Sequence, residues 1–303
     1  MQASKKAYPH LGLLIIGIIS IALSSIFIKL SSAPAPVMGM YRLFFCLIFI
    51  SPWLKWRTIN TLLRSLSRKE IGLLFLAGLF LGLHFLLWME SLNHTSVASS
   101  MILLSLQPVF VMSGSYLFYR VRTAWSAAAA LSLAMVGSIL IAWGDIGLSS
   151  EALWGDLLSL LGGVAYALYM LTGQNLCKKM PSMVYSFFVF AIGGLLLLGY
   201  NLGNGIELVK YSGSNWVIFI LLAVVPTIFG QMLFNRLLQV MPASTISMAI
   251  IGEPVFAIAL AAMFLDEPIT AFALVGGAMT LIGIGLYFWV VRIPEAPLQQ
   301  QPS

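Results

Sequence analysis

Glu253 is followed by Pro254 inside the run ISMAIIGEPVFAIALAAMF, and Gln107 is followed by Pro108 inside MILLSLQPVFVMSGSYLFY. A carboxylate in such surroundings can hold a cation, take a proton or pair with a base, and an amide can donate and accept toward a solute. The Pro that follows removes a backbone hydrogen bond and can free a carbonyl for a ligand. The plainer alternative is a kink whose polar side chain bonds a neighbour. Arg42, about six residues into PVMGMYRLFF, suits a solute carboxylate or a lock on Glu253; otherwise it anchors its helix by snorkelling. Lys29 closes the first apolar run as a solute contact or as a cation at a helix C-terminus. An imidazole ordinarily titrates near neutrality, which makes His84 a candidate for proton-linked work; the alternative is a neutral imidazole bonded between helices. Tyr41, Trp88, Tyr166, Tyr169 and Gln231 are candidate cavity liners, with lipid-facing placement as the alternative. Tyr166 and Tyr169 share a helix face at i, i+3. No phosphate-binding Gly loop, HExxH, GxSxG or His/Cys cluster occurs, so the sequence offers nothing to an ATP motor, an enzyme, a metal or a cofactor.

The elements that must hold these residues follow from composition. Of 303 residues, 60% are apolar and only 9% charged, against roughly 25% charged in soluble domains. So few charges cannot cover a soluble surface, and runs near twenty residues match a helix across a ~30 Å hydrocarbon core. A barrel would give shorter alternating segments. Ten runs are expected, at about 10–30, 36–54, 71–90, 96–118, 124–143, 154–176, 182–201, 215–235, 243–265 and 270–291. The first run is too long for a signal-peptide core and is expected to stay as a helix. Residues 293–303 are expected to be a disordered tail, and the basic stretch Lys55–Glu70 a connection.

The net charge of +6 does not imply nucleic acid, because the cations lie in short loops and not on one stripe. Lys5, Lys6, Lys55, Arg57, Arg64, Arg68, Lys69, Arg120, Arg122, Lys178, Lys179, Arg236 and Arg292 fall on one side, and Lys210 alone falls on the other. The positive-inside rule makes the first side cytoplasmic, with both termini there. Trp53, Trp56, Trp143, Trp154, Trp216 and Trp289 fall near run ends, as interfacial residues do. Cys46 and Cys177 show no metal spacing and no sign of a disulfide.

An internal repeat organises the runs. At an offset of 146, Gln107-Pro108-Val109-Phe110 meets Glu253-Pro254-Val255-Phe256, Phe118 meets Phe264, Gly137 meets Gly283 and Trp143 meets Trp289. At nearly the same offset Gly17 meets Gly162 and Ala22-Leu23 meets Ala167-Leu168. Equivalent loop positions change sign: Glu90 becomes Arg236 and Arg120 becomes Asp266. The expectation is an all-α integral membrane protein of ten transmembrane helices in two inverted five-helix repeats, residues 10–143 and 154–292. That is the design of secondary transporters, which rock two halves about a central site.

These residues resemble the drug/metabolite transporter superfamily, in its EamA-type ten-helix branch. The resemblance rests on SSIFIKL, PVMGMYRLFF, SLNHTSVASSMILLSLQPVF, WGDLLSLLGGVAYALYML and MPASTISMAIIGEPVFAIALAAMFLDEPIT. It covers about residues 10–292. One departure is Tyr119-Arg120-Val121-Arg122, where the family usually carries a Glu. The resemblance implies transport of a small organic metabolite, an amino acid or related compound, across a bacterial inner membrane, and fixes neither substrate nor driving ion. A passive channel is the alternative, and a non-transporting scaffold a weaker one. Expected partners are the solute, the bilayer and, for Glu253 and His84, protons. The small residues of GSILIAW and GIGLYFW suit helix contacts or a homodimer seam.

Overall fold

The computed structural model describes residues 10–95, 97–121, 123–142, 150–264 and 269–291. The tail at 293–303, Lys5, Lys6, Arg122, Arg292, Trp143 and Asp266 lie outside the described residues. Among those described, every regular element is helical. In order they are α1 (Leu11–Lys29), α2 (Ala35–Ile50), α3 (Trp56–Ser65), α4 (Arg68–Ser91), α5 (Val97–Leu104), α6 (Gln107–Tyr119), α7 (Trp125–Ala142) and α8 (Ser150–Leu176). There follow α9 (Ser182–Gly203), α10 (Gly213–Leu222), a π-helical segment (Ala223–Met232), α11 (Leu233–Leu237), α12 (Ala243–Ile250), α13 (Glu253–Phe264) and α14 (Ala271–Val290).

Eight of the resulting segments are long and apolar enough to cross a membrane, among the described residues. The chain is therefore a multi-pass membrane protein. Of the other two expected runs, 124–143 holds the apolar helix α7 and 96–118 holds α5 and α6. The basic stretch expected as a connection instead contains α3. Its Ile59, Leu62 and Leu63 recur at helical spacing and pack on Leu54 and on Met183, Val184, Phe187 and Phe188 at the start of α9.

Local chemistry sets the helix ends. Ser67 and Glu70 form a reciprocal capping box at α4: Ser67 Oγ accepts from the Glu70 N–H, and a Glu70 carboxylate oxygen accepts from the Ser67 N–H at 2.8 Å. Ser212 and Thr270 cap α10 and α14 in the same sense. Three prolines decide where helices stop within apolar runs. A Pro ring clashes with the carbonyl four residues before it and brings no N–H to bond it. Pro108 thus stands four residues after Leu104, where α5 ends, and Pro254 four after Ile250, where α12 ends. Pro226 stands four after Leu222, where α10 gives way to the π-helical segment.

The packing obeys an exchange rule. Numbering the apolar runs one to ten, three packs on six (α4 on α8) and one packs on eight (α1 on the π segment). Three packs on seven (α4 on α9), and two on eight (α2 on α10 and the π segment). Six meets four (α8 with α5 and α6), and one meets nine (α1 with α12 and α13). Swapping the halves turns each contact into its partner. Two with seven (α2, α9), four with nine (α6, α12) and five with ten (α7, α14) map onto themselves. The last pair is the tightest: a Cβ on Gly137 would lie 2.5 Å from the Gly276 carbonyl oxygen, and one on Gly276 2.5 Å from that of Gly137. Gly283 meets the Ala134 backbone in the same way. These small residues are thus used inside the chain.

Candidate functional site

Where the two halves meet, an internal cavity of about 80 Å³ opens. That is several times the roughly 10–15 Å³ that one water requires on the same measure. Ile21 and Ser24 reach it from α1, Arg42 from α2, and His84, Phe85 and Trp88 from α4. Ser105 and Gln107 border it at the α5–α6 break, and Ile251 and Glu253 at the α12–α13 break. Tyr166 of α8, Gln231 of the π segment and Ser247 of α12 complete the polar part of the wall.

Arg42 is 3% exposed and is held without an acid. Its Nε donates to Thr227 Oγ1 at 3.1 Å, its Nη1 to Ser24 Oγ at 3.4 Å, and its guanidinium carbon lies 4.5 Å from the centre of the Phe85 ring. The π-helical turn explains the Thr227 contact. Pro226 leaves the Leu222 carbonyl without its usual donor, and the Thr227 hydroxyl donates to it at 2.7 Å. With its hydrogen spent on Leu222, the Thr227 oxygen can only accept, and it accepts from Arg42. A guanidinium keeps its charge even when buried, and two of its five N–H groups are used here.

Glu253 and Gln107 are the first residues of α13 and α6. A helix N-terminus favours a negative charge, so the Glu253 carboxylate sits at the end of α13 that stabilises it. No ion pair joins it to Arg42: among the described residues the ion pairs are His94–Glu90, Lys179–Glu70 and Lys210–Glu207. The Gln107 amide donates to Met170 Sδ at 3.2 Å. His84 Nδ1 lies 3.0 Å from the Gly162 carbonyl oxygen. A carbonyl only accepts, so Nδ1 carries the proton and a neutral ring has its lone pair on Nε2. The His84 ring stacks on Trp88 and stands 4.7 Å from Tyr166. The Trp88 indole N–H is buried and has no hydrogen-bond partner among the described residues.

A relay of amide and hydroxyl groups leads away from the cavity. Tyr166 Oη donates to Gln231 Oε1 at 3.0 Å, Gln231 Nε2 to Tyr169 Oη at 3.0 Å, Tyr169 to Asn235 Oδ1, and Asn235 Nδ2 to Ser186 Oγ at 3.0 Å. Every donor points the same way. The Tyr166 oxygen at the near end therefore keeps its lone pairs for the cavity.

The sequence profile of the EamA-like transporter family matches residues 10–143 and 153–289. The chain belongs to that family. Curated relatives include an uncharacterized transporter of Archaeoglobus fulgidus, 26% identical over 260 residues, covering 86% of this chain and 89% of the relative. The uncharacterized transporter YdfC of Bacillus subtilis is 24% identical over 228 residues, covering 75% and 74%. A crystal structure that covers 94% of this chain and 98% of its own superposes with a TM-score of 0.77 at 14% identity, which is a likeness of fold.

Within this EamA-like transporter, seven of the ten residues singled out from sequence border one cavity: Arg42, His84, Trp88, Gln107, Tyr166, Gln231 and Glu253. Tyr169 lies one hydrogen bond behind that wall. Tyr41 is elsewhere: it stacks on Phe219 at 5.0 Å, meets the edge of Trp216 and donates to the Leu208 carbonyl at 2.9 Å. Lys29 is exposed at the end of α1, away from the cavity. Sequence reasoning missed Ser24, Ser105 and Ser247 on the wall, and Thr227 behind it. Serines are common in membrane helices and gave no signal, but Thr227 directly follows an intramembrane Pro, and that signal was available.

Proposed function

We propose that this EamA-like transporter is a secondary transporter that moves a small organic solute, an amino acid or related compound, by alternating access. The observation that carries this reading is a cation and an acid, Arg42 and Glu253, that line one cavity and are not bonded to each other. A solute with a carboxylate and an amino group offsets both charges: the carboxylate takes the free N–H groups of Arg42, and the ammonium takes Glu253 with the Tyr166 oxygen as a second acceptor. Aromatic faces from Phe85, Trp88 and His84 supply the apolar wall.

The exchange rule in the packing supports two halves related by a two-fold axis, and the sign change between Glu90 and Arg236 supports their inversion across the membrane. On this reading ten segments cross a bacterial inner membrane, with both termini cytoplasmic. The half-helices at Gln107 and Glu253 meet at the centre, and the cavity opens to either side in turn as the halves rock. Counterflow in proteoliposomes is the test. Vesicles preloaded with unlabelled amino acids should accumulate labelled solute transiently above equilibrium. A passive channel gives simple equilibration under the same conditions and would end this reading.

A further inference from the structure

The α3 region holds a concentration of charge that transport does not use. Between Lys55 and Glu70 the sequence carries five cations, Lys55, Arg57, Arg64, Arg68 and Lys69, and one acid. All five cations are exposed. The acid, Glu70, is already taken by the Ser67 cap and by Lys179. That pair brings the turn between α8 and α9 alongside and adds exposed Lys178 to the cluster. Among the described residues no acid pairs with these cations.

The α3 helix fixes how part of this charge is displayed. Ile59 and Leu63 point into the α9 contact, and Arg57 and Arg64, seven residues apart, lie on the opposite face. Two indoles mark the depth: Trp53 is 77% exposed, and Trp56, edge-on to Phe187 at 5.4 Å, is 51% exposed. Exposed indoles beside cations at the end of a membrane helix sit at headgroup level, where the ring is in the interface and the N–H is wet. In water the same two rings would be costly, which argues against a soluble anionic partner.

We propose that α3 and its flanking turns form a binding site for the phosphate headgroups of anionic phospholipids, with Arg57 and Arg64 as its principal contacts. A headgroup phosphodiester takes paired N–H groups from a guanidinium, and its acyl chains lie against Trp53, Trp56 and the outer side of α9.

The test uses the full chain in nanodiscs of phosphatidylcholine, with and without phosphatidylglycerol, reading lipid retention by native mass spectrometry and the thermal midpoint. Wild-type protein should retain phosphatidylglycerol over phosphatidylcholine, lose that preference as salt is raised, and unfold at higher temperature when it is present. Arg57→Gln with Arg64→Gln should weaken retention by roughly tenfold or more while leaving the midpoint in phosphatidylcholine unchanged. Arg57→Lys with Arg64→Lys keeps both charges and should keep most of the preference. If the Gln pair fails to insert, the Lys pair and the salt dependence of the wild type still decide. Equal phosphatidylglycerol retention by wild type and the Gln pair would overturn the proposal. So would a wild-type preference that high salt leaves intact, or equal stabilisation by inorganic phosphate in phosphatidylcholine discs.

Discussion

Gln107 and Glu253 each open a half-helix, each three residues beyond the last residue of the helix before, and both border the same cavity. Pro108 and Pro254 produce this relationship by ending α5 and α12 four residues upstream. The second helix of each broken pair therefore starts with a polar side chain at its positive end. The two breaks differ in charge: one half offers an amide bonded to Met170, the other a carboxylate with no protein hydrogen bond among the described residues.

The carboxylate should be essential to transport and dispensable to folding. Glu253→Gln preserves shape, removes the charge, and should lower counterflow by roughly 10- to 100-fold, the range for losing one charge-assisted hydrogen bond. It should also flatten the pH dependence of transport. Arg42, His84 and Tyr166, the other ionisable groups of the cavity, are left in place. Glu253→Leu should abolish counterflow with normal yield in the membrane. Normal, pH-dependent counterflow by Glu253→Gln at equal protein loading would exclude a role for this acid.

Thr227 should act through Arg42. Thr227→Val leaves the Arg42 Nε–H without its acceptor and removes the hydroxyl bond to the Leu222 carbonyl, and should destabilise the protein by about 1–3 kcal/mol. Thr227→Ser keeps both bonds and should behave as wild type. Thermal unfolding in detergent measures the first effect. A raised KM in the Val variant alone would register the loss of guanidinium aim, whereas equal behaviour of Val and Ser variants would remove Thr227 from the site.

The α7–α14 contact predicts an asymmetric response to adding one methyl group. Gly276→Ala drives a Cβ to 2.5 Å from a backbone oxygen that cannot rotate away, and should cost about 1–3 kcal/mol. Gly285→Ala on the same helix meets nothing within 4 Å and should be neutral or slightly stabilising. Thermal midpoints of the two variants, compared side by side, decide the matter.

Orientation can be read by labelling. Cys46 and Cys177 are buried and are replaced first. An impermeant thiol reagent on whole cells should then label Asn204→Cys, beyond α9, and leave Asn60→Cys in α3 untouched until the membrane is opened. Position 204 is preferable to neighbouring Gly205, whose φ of 65° a Cys would strain. The reverse labelling pattern would invert the topology.

Helical membrane architecture and most of the cavity wall were legible in the chain. Lipid demands long apolar runs with internally satisfied backbones, so spans declare themselves. Proline has a fixed steric consequence, so Gln107-Pro108 and Glu253-Pro254 could be singled out before any fold was known. The extent of the break was less legible, because a kink and two separate half-helices share the same sequence signal. The α3 helix is hidden in the sequence because charged residues surround its short apolar face, which gains meaning only against α9.

By itself the sequence determined that the chain lives in a bilayer and that Gln107-Pro108 and Glu253-Pro254 disturb two of its helices. Those properties depend on composition, period and single-residue sterics, all local. The tertiary structure alone decided which scarce polar groups meet. It separated Tyr41 and Lys29 from the cavity, brought Arg42 to Thr227 across 185 residues of chain, and left Arg42 and Glu253 facing one space without pairing. Depth in a membrane is one coordinate, readable from position along a helix; the rotation and neighbours of each helix are set by how small residues and aromatic rings from distant segments fit together.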